Sequence, residues 1–152
     1  MNQTVIERGT NLATAAGALA ALYAVSFFLG ALLHAGVRIP LGFAVLAEPL
    51  IVPAVIVESL CGLALAIGAY AALTRQTWAW LAVFAAHAFA LAGVLLGISA
   101  IAAGRGPHTV LNDTYHAVMV VLLVTGMAAL STRAARAALG AAGSSHGYPR
   151  TR

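Results

Sequence analysis

Residues 49–73, PLIVPAVIVESLCGLALAIGAYAAL, decide the fold, because the run is long enough to cross a bilayer and carries a carboxyl group, Glu58, inside it. Eleven of these residues are Leu, Ile or Val. Each favours insertion by roughly 0.3–0.6 kcal/mol, while an acidic residue near a helix centre costs about 2.5–3.5 kcal/mol. The segment can therefore insert despite Glu58, and the acid is expected to face other helices or a wet cavity, not lipid.

The composition of the whole chain agrees. Of 152 residues, 62% are hydrophobic and 8% charged, against about 25% charged in soluble domains. The formal charge of +4 does not mark a nucleic-acid binder, because the eight basic residues stand singly between apolar runs until the last twenty positions. They read as topology signals. All eight are Arg, and with abundant Ala and Gly this points to a GC-rich genome and a bacterial plasma membrane. One cysteine, Cys61, excludes an internal disulfide and any CxxC motif.

Outward from the deciding stretch, apolar runs predict three further spans, giving an all-α, four-helix polytopic bundle with spans near 12–36, 49–73, 78–103 and 112–132. The polar residues 1–11 carry Thr4 and Glu7 at capping-box spacing, which starts a helical turn or frays. The first span exceeds the 7–15 residues of a signal-peptide core and is read as retained. Residues 37–48 either lie at the interface or dip back as a short helix. Pro49 suits a first helical position, Asn112 or Asp113 a helix cap, and Trp78 and Trp80 interfacial anchors. No internal repeat, heptad array or low-complexity tract is visible.

In the fourth segment the apolar run Ala117–Leu130 covers only 14 residues, about 21 Å at 1.5 Å per residue. Completing the roughly 20 residues of a span draws Asn112, Asp113, Tyr115 and His116 to membrane depth. Residues 133–152 extend the helix and then turn rich in Gly, Ser and Pro, a disordered composition. Arg8, Arg75, Arg133, Arg136, Arg150 and Arg152 fall on one side, Arg38 and Arg105 on the other, so both termini are expected in the cytoplasm.

With that topology His34, Glu58 and His116, with Asn112 and Asp113 beside His116, form a candidate outward-facing polar pocket. Three functions suit it. Glu58 with a histidine can relay protons, as a small proton-coupled permease requires. Two of His34, His87 and His116 can ligate a haem or a metal in an electron carrier. The pocket can instead hold the polar head of a lipid-soluble ligand such as a quinone. Against these stands a packing role, in which Glu58 bonds to Tyr23, Ser59 or a histidine and holds the helices in register. His87, alone on an apolar helix, suits a helix-to-helix hydrogen bond. Cys61, a turn from Glu58, reads as a small core residue.

Gly17, Gly30, Gly62, Gly93 and Gly97 suit close helix approach, the last two as a GxxxG pair, and small faces of this kind allow a homo-oligomer. There is no phosphate-binding loop with Lys, no HExxH and no GxSxG, so an enzyme acting alone is not expected.

The stretch VPAVIVESLCGLALAIGAYAAL, with Pro53 followed by Glu58, Gly62 and a Leu-rich run, resembles the helix of DoxX-type small four-helix bacterial membrane proteins. Some of these are similar to subunits of quinone-linked oxidoreductases. The resemblance implies four helices and a role as an accessory protein of a membrane redox complex. It carries over to Pro53, Glu58 and Gly62 alone, since the opening of the first span and the NDTYH run lie outside the family's pattern.

Overall fold

A computed structural model describes residues 3–140. The chain is helical apart from one short hairpin: α1 (Gln3–His34), β1 (Ile39–Pro40), β2 (Val45–Leu46), α2 (Val52–Leu73), α3 (Ala79–Ala102), α4 (Val110–Leu130) and α5 (Arg133–Gly140). The first four helices each contain a segment long and apolar enough to cross a membrane.

Successive helices pack in order, α1 on α2, α2 on α3, α3 on α4, and α5 turns back against α1 and α3. Buried positions explain this arrangement. On α1 they run Ala13, Gly17, Ala20, Ala24, Phe27, Ala31 and His34, alternating steps of four and three. On α2 Glu58, Cys61, Leu65, Gly68 and Ala72 follow the same alternation. This is a heptad seam of mainly small residues, the pattern of antiparallel bundles. The seam is invisible to hydropathy because the outward faces, with Leu22, Leu60 and Leu81 exposed, are as apolar as the buried ones.

Helix ends follow local chemistry. α1, α2 and α3 each stop at a residue in the left-handed region, Gly36 (φ 88), Arg75 (φ 60) and Gly104 (φ 70). In each, the next amide reaches back over the last turn: Val37 N to Leu32 O, Gln76 N to Ala71 O and Arg105 N to Ala100 O, at 3.0, 2.9 and 2.9 Å. These are Schellman closures. Arg75 adopts the conformation without being glycine, and its Nη2 donates to Thr10 O and Thr14 Oγ1 on α1 at 2.9 and 2.8 Å.

Three sequence expectations change here. α2 begins at Val52 with Pro53 in its first turn, not at Pro49, because Ile51 is still extended (φ −132, ψ 89). Residues 37–48 form not a short helix but a two-stranded hairpin pairing Ile39 with Leu46 and Pro40 with Val45. The cap of α4 is Thr109, whose Oγ1 accepts from Asn112 N at 3.0 Å. Asn112 is consequently inside the first turn, and neither it nor Asp113 is the cap. At the opposite end of the bundle Trp80 Nε1 donates to Leu130 O at 2.9 Å, stacks on Phe84, and carries the Arg136 guanidinium 4.8 Å above its ring. The expected disorder of the tail beyond residue 140 lies outside the described residues.

Candidate functional site

The heptad seam of α1 ends at His34 and that of α2 begins at Glu58, so antiparallel packing brings the two side chains together. His34 Nδ1 and Glu58 Oε2 are 2.9 Å apart, and the residues are 4% and 6% exposed. Gly30 makes room one turn earlier: a Cβ there would stand 2.9 Å from Glu58 Oε1 and 3.2 Å from Oε2. A larger residue at position 30 would push the carboxylate out of the seam. Glu48, brought in by the hairpin, lies within electrostatic reach of the same imidazole.

The three helical histidines use their rings differently. His87 Nδ1 donates to Val83 O at 2.8 Å and His116 Nδ1 to Asn112 O at 2.9 Å, each on its own helix four residues back. Only His34 among the three bonds to a side chain on another helix. The other two rings instead fill reciprocal notches between α3 and α4. His87 lies over Gly126, where a Cβ would be 3.1 Å from Nε2, and His116 lies over Gly97, where it would be 2.5 Å from Nε2. Ten residues separate the two contacts on each helix, so one register places both. Gly126 is the packing glycine that sequence reading passed over; a search for a second GxxxG could not find it, but its matched spacing to His116 could have.

The remaining glycines read in the same terms. Gly17 receives Leu73, Gly62 the ring of Phe28, and Gly93 the sulfur of Cys61, at 2.8, 3.0 and 2.6 Å from an added Cβ. Cys61 is fully buried and free.

Around the pair the hairpin end of the bundle is polar. Thr109 Oγ1 donates to Glu48 Oε1 at 2.7 Å while accepting from Asn112 N, so one hydroxyl ties the hairpin to the start of α4. Asn112 is 4% exposed and its Nδ2 donates to Pro107 O at 3.3 Å. Asp113 turns outward, where its Oδ2 accepts from His108 Nδ1 at 3.3 Å, and so does not serve His116. Glu48 and Thr109 are the site residues that sequence reading missed. The Thr109–Asn112 spacing of a cap was available; the position of Glu48 depends on the hairpin and was not.

A groove of about 330 Å³ runs along α1 and α4, which hardly approach at backbone level. Its walls are apolar, from Leu22, Val118 and Leu122 among others, and its polar points are Tyr23, Ser26, Thr114 and Tyr115. Tyr115, on the groove wall, packs edge-on against Phe27 of the α1 seam. Among the described residues no group of three or more His, Cys, Asp or Glu side chains is placed to hold a metal ion. No protein-family model, curated protein or solved structure matches the chain.

Proposed function

We propose that the chain is a multi-pass protein of a bacterial plasma membrane, with both termini cytoplasmic, that binds a lipid-soluble ligand of the quinone class at its hairpin end. It acts as a ligand-binding or accessory subunit of a membrane redox complex and not as an enzyme by itself. The observation that carries this reading is the buried His34–Glu58 pair. Two ionisable side chains in otherwise apolar helices are costly to insert, and such groups mark ligand or proton sites by default. An imidazole N–H serves a ligand carbonyl and a carboxylate serves a ligand hydroxyl. A quinone head offers both groups, one in each redox state.

The groove supports the same reading. It is open along the faces of α1 and α4, falls within the roughly 300–1,000 Å³ of small-molecule sites, and carries the Tyr115 hydroxyl among its apolar walls. A haem carrier is less favoured, because a ring bonded through Nδ1 ligates through Nε2, and Nε2 of both His87 and His116 is packed against glycine. A permease requires Glu58 to face each side in turn. The closed packing of Leu130, Leu139 and Ala72 at the far end favours binding over passage.

The test is to purify the protein in mild detergent from a quinone-containing bacterial host, extract it, and quantify isoprenoid quinone per chain, beside a Glu58→Gln variant. The reading expects near-stoichiometric quinone that falls at least fivefold in the variant. Quinone absent from the unaltered protein, or retained equally by both, would overturn it.

A further inference from the structure

Among the described residues three buried side-chain oxygens lack a hydrogen bond of full geometry: Glu48 Oε2, Asn112 Oδ1 and Tyr115 Oη, the last with the Ser26 hydroxyl beside it. All three belong to the hairpin end. Buried polar atoms are almost always paired, and each exception calls for a physical reason. The amide of Asn112 is oriented by its own contact, since Nδ2 must face Pro107 O to donate, which leaves Oδ1 as the unpaired atom. Glu48 and Asn112 are linked through the Thr109 hydroxyl, and Tyr115 follows Asn112 by three residues on the same side of α4. Tyr115 also lines the groove.

The kind of atom matters as much as the number. A carboxylate oxygen and an amide oxygen only accept, whereas a phenol donates and accepts. The uncommitted atoms thus comprise two acceptors and one hydroxyl. Among these three atoms a ligand with a carbonyl head meets one donor, Tyr115, and leaves both acceptors unpaired. A ligand with a hydroxyl head brings the O–H donors that Glu48 and Asn112 lack and can still accept from Tyr115.

Resting on the ligand reading above, we propose that the hairpin end selects the hydroxyl-headed, reduced form of its ligand over the carbonyl-headed, oxidised form, with Asn112 as the specificity-determining acceptor. A site built to bond a hydroxyl discriminates against the analogue without it, because its own buried groups are then left unpaired.

The test uses the full chain in lipid nanodiscs under argon, with empty nanodiscs as reference, and compares binding of a decyl-substituted hydroquinone with that of the matching decyl benzoquinone. The hydroquinone is expected to bind roughly tenfold tighter, the discrimination that one satisfied buried acceptor supplies. Two near-isosteric variants move this ratio in opposite directions. Asn112→Leu brings it towards one, and Tyr115→Phe, which removes the donor to the carbonyl, widens it. Equal affinities in the unaltered protein, as expected if the three oxygens simply hold water, would overturn the selectivity while leaving the ligand reading intact. Tighter benzoquinone binding would do the same. Binding of neither compound would overturn both.

Discussion

Removing His34 and Glu58 singly and together gives the sharpest energetic prediction. Their contact is 2.9 Å, and at 4% and 6% exposure water hardly screens it. His34→Leu leaves a buried carboxylate whose partner is gone, and breaking a buried pair from one side costs about 3–5 kcal/mol. Glu58→Leu leaves an imidazole that can stay neutral, so its cost is smaller, about 1–3 kcal/mol for one unsatisfied buried group. The double variant removes both polar groups and replaces them with apolar ones, which is often close to neutral. It should therefore be more stable than His34→Leu alone, with the two single costs together exceeding the double cost by about 4–8 kcal/mol. Reversible unfolding of the four proteins by SDS titration in mixed micelles measures this directly. Additivity within about 0.5 kcal/mol would refute the argument that these residues share one buried interaction.

Gly97→Val and Gly126→Val should each destabilise the α3–α4 interface by about 1–3 kcal/mol through overpacking, because an added Cβ meets a histidine ring at 2.5 and 3.0 Å; smaller residues at His116 and His87 should restore stability pairwise, which the same titration reads. Thr109→Ala removes both the α4 cap and the partner of Glu48 and should cost roughly 1–2 kcal/mol, whereas Thr109→Ser should cost little. Cys61, fully buried against Gly93, should resist a lipid-permeable maleimide in the folded protein and react on SDS unfolding; rapid labelling in the native state would contradict the packing of α2 on α3.

How far the sequence reaches differs between fold and site. Four long apolar runs punctuated by Arg75, Arg105 and Gly36 expose the four helices, because insertion energetics depend on composition alone. Which face of each helix turns inward does not follow from composition. Leu22 and Leu60 outside are as apolar as Phe27 and Leu65 inside, so the heptad seam had no polar side to reveal it. The exceptional residue within that seam, Glu58, was legible because a carboxyl group has so few tolerable surroundings. Its partner was not, since His34, His87 and His116 are chemically alike and differ only in what their helices bring close. Two of them have a carbonyl four residues back as their acceptor, and a sequence gives no sign of which. Asn112 stood out as a polar residue at depth, but its unpaired oxygen follows from Pro107 and Thr109, local geometry that emerges only with the loop folded.

The account turns on His34 and Glu58 being a ligand site and not a packing clasp, and nitrogen-15 NMR of histidine-labelled protein in bilayers tests this most directly. Spectra are recorded with and without the decyl-substituted hydroquinone, and the signals are assigned by single His→Gln variants. The ring nitrogens of His34 should shift on binding, while those of His87 and His116, bonded to their own helices and packed over glycine, should hold still. A His34 signal unchanged at saturating ligand would contradict the account and leave the pair a structural contact between α1 and α2.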